Sequence, residues 1–248
     1  MSRYTVVATW DDVPHLTQEQ KDELWSSVPP HERDARAKGI PTMGSGLIYP
    51  VREEDITCEP RDIPRHWPRI IGLDFGWDHP TAAVLLAWDR DYDRIYVVNS
   101  YRRKEATPIQ HAATLRAWGG TWIPIAWPAD GYQHSKGDGQ QLKDIYAEQG
   151  LFMLDKHATH PSDEKSTGVE AGLMGIMEYM ETDRFKVFND QTEWLEERRM
   201  YHRDEGKIVK LRDDLMDATR YGCMMLRFAA TPPASSKKRD KHRFAPLI

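Results

Sequence analysis

Three apolar runs joined by short polar links restrict the folds open to this chain. They read Arg69-Ile-Ile-Gly-Leu-Asp74, Thr81-Ala-Ala-Val-Leu-Leu-Ala-Trp88 and Arg94-Ile-Tyr-Val-Val-Asn-Ser100. Each has the length and branched apolar content of a strand, and links this short join antiparallel neighbours. Thr107-Pro108 then starts a helix with N-cap and first-turn chemistry, and Gly119-Gly120 ends it. A fourth strand is expected over 122–127. The helix before it permits a crossover, so the fourth strand can lie parallel to the first. Further on, helices are expected at 140–149, 162–180 and 192–199, and strands at 151–154 and 185–188. A hairpin over 201–210 turns at Glu205-Gly206, and a last helix runs from Asp213 to about Phe228. The expectation is an α/β fold: a mixed sheet of three antiparallel strands followed by parallel strands, flanked by helices.

The chain has 248 residues, enough for one sizeable domain with an attached piece. Residues 1–65 form that piece: a strand at 4–9, a helix from the N-cap Thr17 to Leu24, and a short strand at 47–49. It holds too little apolar material for its own core and is expected to pack on the larger domain after it. Residues 66–229 form that main domain, and 230–248 a basic, disordered tail. With 29% charged residues and a mean hydropathy of -0.70, the composition is that of a soluble protein, and no membrane partner is expected. Cys58 and Cys223 lack metal spacing, which argues against a disulfide or zinc scaffold. A net charge of -5 excludes a uniformly basic coat but not local nucleic-acid-binding patches.

The acids carry the chemistry. Asp213, Asp214 and Asp217 open the last helix, Asp74 ends the first strand, and Asp130 comes after the fourth strand in Pro128-Ala-Asp-Gly131. Parallel pairing of those strands puts their ends about 5 Å apart. Ligand sites in open α/β sheets favour this end. On the helix, Asp213/Asp217 and Asp214/Asp217 are spaced to share a face. Carboxylates gathered this closely protonate unless a cation intervenes, and Mg²⁺ or Mn²⁺ suits oxygen ligands. Two such ions roughly 4 Å apart activate water for phosphodiester hydrolysis. Singly, each Asp fits ordinary capping or turn chemistry; Asp74, ending an otherwise apolar strand, is the one that needs another reason.

Ile71-Gly-Leu-Asp74-Phe-Gly-Trp-Asp-His-Pro-Thr81, Pro128-Ala-Asp-Gly131 and Asp213-Asp-Leu-Met-Asp-Ala-Thr-Arg-Tyr221 resemble the nuclease domain of large terminase subunits, the DNA-packaging motors of tailed bacteriophages. The likeness covers roughly residues 66–228. Residues 5–50 also resemble the stretch joining the motor ATPase to the nuclease in some terminases. The resemblance implies an RNase H-like fold and a metal-dependent endonuclease that cuts concatemeric double-stranded DNA. It puts the metal-binding acids on Asp74, Asp130 and, together, Asp214 and Asp217, with one or two Mg²⁺ or Mn²⁺ ions. Asp213 is left as an N-cap or a supporting residue. Implied partners are double-stranded DNA, the portal protein, the small terminase subunit and a terminase ATPase domain, in the host cytoplasm rather than the mature virion. No G-x-x-x-x-G-K-[ST] loop occurs, so this chain is not expected to hydrolyse ATP. Two alternatives remain open: a resolvase-like nuclease acting on branched DNA, and a catalytically silent module that grips DNA or docks on the portal.

Other features are weaker. Asp74-Phe-Gly76 and His202-Arg-Asp204 mimic protein-kinase motifs in reversed order without the accompanying loop, and that reading is rejected. Asp78-His79 fits a turn before Pro80 better than a water-mediated metal contact. His134, His157 and His160 read as surface-loop residues. Lys136, Lys165, Arg198 and Arg199 fit phosphate contacts or a solvated face equally. Lys237 to Arg243 is basic enough to bind DNA or dock on the portal, or to serve only solubility.

Overall fold

A computed structural model describes residues 8–28, 33–39, 46–133, 140–161 and 168–233. Its helices are α1 (Gln18–Ser27), α2 (Arg33–Lys38), α3 (Glu53–Ile56), α4 (Pro108–Ala117), α5 (Leu142–Glu148), α6 (Val169–Glu181), α7 (Thr192–Met200) and α8 (Asp214–Met224). Its strands are β1 (Thr57–Cys58), β2 (Arg69–Asp74), β3 (Thr81–Asp89), β4 (Arg94–Arg103), β5 (Ile125–Ala126), β6 (Phe185–Phe188), β7 (Arg203–Asp204) and β8 (Lys207–Ile208). Six strands form one sheet in the order β1-β6-β4-β3-β2-β5, and β7 and β8 form the expected small hairpin.

Strands β2, β3 and β4 are antiparallel neighbours. β5 pairs parallel to β2 on one side, and β6 pairs parallel to β4 on the other. This is the mixed sheet read from the sequence. Two expected strands are much reduced. The run at 122–127 contributes only Ile125–Ala126, because Pro124 and Pro128 bracket it and have no amide to donate to a ladder. The run at 151–154 makes a single parallel bridge, Ile125 to Met153.

The N-terminal piece also differs from its reading. Residues 4–7, most of the strand expected at 4–9, lie outside the described residues, and Thr9 caps a 3₁₀ turn. Thr17 does cap α1, with Gln20 closing a reciprocal capping box. Leu47–Tyr49 is not a strand. Leu47 bridges His202, and Tyr49 is buried in the main core beside Ile56. The neighbouring β1, which the sequence did not signal, extends the sheet by pairing with β6. The expected helix at 162–180 is described only from Val169, since 162–167 lie outside the described residues.

Strand alternation sends Ile70 into the core with Leu215, Met216 and Ala218 of α8, and Ile71 and Leu73 into a second core with Ala112 and Leu115 of α4. The sheet is therefore covered on both faces. Gly72 falls on the α8 side, where a Cβ would overlap the carbonyl oxygen of Ala218. Opposite it, a Cβ on Gly222 would lie 2.8 Å from Leu86 Cδ1 and 3.3 Å from the Gly72 nitrogen. Two bare glycines thus let helix backbone rest on strand backbone.

A side chain at this contact must push the layers apart. Gly72→Ala is expected to lower stability by about 3 kcal/mol, the upper part of the overpacking range. Gly175→Ala, where nothing lies within 4 Å of the added carbon inside α6, should raise it by roughly 0.5–1 kcal/mol. Urea denaturation of both variants checks this; equal midpoints would show that the glycine contact does not set the layer spacing.

Candidate functional site

The same alternation that turns Ile70 and Gly72 toward α8 turns Asp74 toward it as well. On α8 the row Asp214, Ala218, Gly222 has helical spacing, and its last two members face Gly72. Asp214 therefore comes down at the level of Asp74. Sheet register adds a third party. Asp74 pairs with Ala82, and Ala82 with Arg102, so Arg102 stands in the same row two strands away. Its guanidinium donates to Asp214 Oδ2 from Nε at 3.0 Å and Nη2 at 2.8 Å.

Cations hold the other helix acids. Arg220, one turn along α8 and buried, donates to Asp217 Oδ1 at 2.9 Å. Lys210 donates to Asp217 Oδ2 at 3.1 Å and stands 3.0 Å from Asp213 Oδ2. That Asp213 oxygen is buried and out of hydrogen-bond alignment with any donor among the described residues. Asp213, Asp214 and Asp217 are each under a tenth exposed. Burial pushes the Asp74 carboxyl well above the usual range, and the charges of Asp217, Asp214 and Asp213 push it further; Arg220 only partly opposes them. Burial likewise raises Asp213 against the pull of Lys210.

Asp130 is placed differently. β5 brings its segment beside β2, with Gly72 level with Ala126, and Asp130 follows in the 3₁₀ turn Ala129–Tyr132. It is exposed on the rim of the same sheet end and is not among the charges that weigh most on Asp74. The structure thus clusters Asp74, Asp213, Asp214 and Asp217 and leaves Asp130 beside them. Among the described residues, no three His, Cys, Asp or Glu side chains stand in a ready metal-ligating arrangement. The donors are nevertheless all carboxylate oxygens, and one of them is buried and unsatisfied, which is the chemistry a hard divalent cation fits.

Several weaker readings are corrected. Asp213 stands at the N-cap position but makes no side-chain cap bond. Glu197 on α7 performs that role, accepting from Leu215 N at 2.5 Å and Met216 N at 3.0 Å. Nothing local in the sequence marks Glu197 as a cap, since the helix it serves begins well downstream. Arg198 is buried and donates to the carbonyls of Tyr49 and Val51. Arg199 pairs with Glu53. Both hold the N-terminal piece rather than meeting phosphate. Asp78 and His79 are exposed. His157 packs edge-on against Tyr132. His134, Lys136, Lys165 and the basic run at 237–243 lie outside the described residues.

Residues 71–226 match the family described as Terminase RNaseH-like domain. The chain belongs to that family. The large terminase subunit of Salmonella phage P22 is 47% identical over 247 residues, 99% of this chain and 49% of that protein. The chain thus spans about half the length of the curated relatives it matches. The solved nuclease domain of the P22 large terminase aligns with a TM-score of 0.69 at 48% identity, covering 77% of this chain and 97% of that one. The nuclease domain of the bacteriophage SPP1 large terminase, solved with bound Mn, aligns at TM-score 0.52 and 21% identity, covering 71% and 98%. At that identity the second likeness speaks to fold alone. The mixed sheet with its flanking helices is therefore the RNase H-like fold of the large terminase nuclease domains.

Glu197 gives the terminase domain a pH signature. Burial pushes its carboxyl from 4.5 to about 7, against the opposing pull of the Met216 amide, Arg102 and the Leu215 amide. The folded chain then keeps a proton that the unfolded chain releases near pH 4.5. This contribution is complete below that pH and is lost as pH rises through about 7. In EDTA, wild type is expected to lose up to roughly 3 kcal/mol relative to Glu197→Gln between pH 4.5 and 7. Urea titrations across that window measure it, and a constant difference between the two proteins would refute the assignment.

Proposed function

We propose that this chain is a metal-dependent endonuclease domain that cuts concatemeric double-stranded DNA during phage genome packaging. The observation that carries the reading is the cluster of Asp74, Asp213, Asp214 and Asp217 at one sheet end, with a buried carboxylate oxygen left unsatisfied. Asp74, Asp214 and Asp217 would hold one or two Mg²⁺ or Mn²⁺ ions, joined by Asp130 from the rim. The bound manganese in the SPP1 nuclease domain supports a divalent ion. When bound, such ions supply Lewis-acid stabilisation of charge at the scissile phosphate and lower the pKa of water.

The chain's own residues set the conditions. The α8 acids are held in place by Arg102 and Arg220, and Glu197 anchors the helix start that carries them. Lys210, two-thirds exposed, occupies the space between Asp213 and Asp217 and must swing aside for an ion to enter there. Residues 66–229 are the nuclease unit in this reading, and 1–65 lead from an ATPase region. A terminase ATPase domain, the small terminase subunit and the portal protein are the proposed partners, in the host cytoplasm. No described helix is long and apolar enough to cross a membrane.

Supercoiled plasmid cleavage in Mn²⁺ tests the reading. Asp130→Ala should cut slower than wild type by at least the roughly 100-fold that loss of a metal's supporting partner costs. Equal cutting by both proteins would sink the assignment of Asp130. Absence of both Mn²⁺ binding and cleavage in wild type would point instead to a silent docking module.

A further inference from the structure

A cavity of about 620 Å³ lies away from the acid cluster, between the segment running beside β5 and the turn after α8. Its walls are mostly apolar: Phe152 and Leu154 on one side, Met225 and Phe228 on the other, and Tyr132 at one end. Five large aromatic side chains are exposed among the described residues, and three of them meet here: Tyr132 at 37%, Phe152 at 49% and Phe228 at 46%. A soluble domain does not ordinarily gather open rings at one place without a use for them.

The rings are held, not loose. Tyr132 sits edge-on to the buried Trp127, with centroids 4.9 Å apart, and edge-on to His157 at 5.5 Å. The Arg227 guanidinium lies 4.7 Å from the Phe228 ring centre and donates to the Met224 carbonyl at 2.7 Å. Lys156 and Arg227 bring two positive charges to the lining, and Asp155 brings one negative charge. In a chain of net charge -5, this is a local reversal of sign. Tyr132 also shares one 3₁₀ turn with Asp130, so one end of the cavity opens beside the rim acid.

Flat apolar walls with cations alongside suit a ligand that has a π face and a negative charge within one repeat. A nucleotide of an unpaired strand is such a ligand, its base against the rings and its phosphate toward Lys156 and Arg227. An apolar protein segment would use the rings but leave the cations without a purpose. We propose that this cavity binds single-stranded DNA by stacking, as a second contact for a strand that passes Asp130. The proposal rests on the nuclease reading for its biological sense, though not for its test.

The test uses the whole chain in EDTA, where metal-dependent cleavage cannot occur. Fluorescence anisotropy follows a labelled oligo(dT) of about 12 nucleotides, within the usual footprint of such sites. Wild type should bind it, and Phe152→Ser/Phe228→Ser should bind about tenfold more weakly, as expected for loss of a stacked base. Both rings are exposed, so an unchanged thermal melt is expected and confirms folding. Lys156→Gln should make binding less salt-sensitive, lowering the log–log slope by roughly 0.7, the value of one single-strand phosphate contact. Equal affinity in wild type and the double variant overturns the proposal, as does a failure of wild type to bind. Displacement of the oligonucleotide by polyglutamate at equal charge also overturns it, because charge alone would then explain binding. So does a wild-type dimer that the double variant abolishes without change in oligonucleotide affinity, which would make the face a contact between copies. Plasmid cleavage by Asp130→Ala judges the nuclease reading separately. Loss of that reading with retained stacking leaves a nucleic-acid site without the cutting role.

Discussion

The contact of α8 with β2 sets everything else at the site. Helix and strand backbones meet across Gly72 and Gly222, with Ala218 between them along the helix. Any larger residue at Gly72 would lift the helix from the sheet. With the helix seated, the row through Ala218 and Gly222 delivers Asp214 to the level of Asp74, and Asp217 arrives one turn along. The same seating buries Leu215 and Met216 in the main core, so the site and the core share one interface.

Four carboxylates at such an interface are stable only if their charge is offset. At an effective dielectric near 20, two like charges 4 Å apart cost about 4 kcal/mol. The fold answers with Arg102 from β4, Lys210 from the loop before α8, and Arg220 from α8 itself. Asp74 is the member for which no ion pair is found among the described residues, and its carboxyl is raised accordingly. Glu197 adds a fifth buried acid, but its oxygen accepts the first amides of α8 and so completes the helix end. The arrangement is compensated by protein cations at the helix and left short of positive charge at the strand.

Much of the architecture was legible because it rests on local chemistry. Alternation and short links marked β2, β3 and β4; Thr17 and Thr107 announced their helices by capping. The misses are also physical. Flanking prolines cut β5 to two residues, so its apolar run overstated the strand. β1 is too short to show any periodicity and exists because β6 offers it an edge. Arg198 and Arg199 looked like surface cations, yet the N-terminal piece folds over them and uses them to hold Tyr49, Val51 and Glu53.

The sequence by itself determined which acids matter and which elements carry them: Asp74 at a strand end, Asp130 after a parallel neighbour, and Asp214 and Asp217 on one helix face. Those placements follow from periods of two and 3.6 residues, which are properties of the local chain. Only the tertiary structure decided how the acids are divided and held. It gathered Asp74 with the α8 acids and left Asp130 on the rim. It brought Arg102 from two strands away and Glu197 from another helix, and it exposed three rings beside Tyr132. These depend on register, layer spacing and the meeting of distant segments, for which a single sequence carries no local signal.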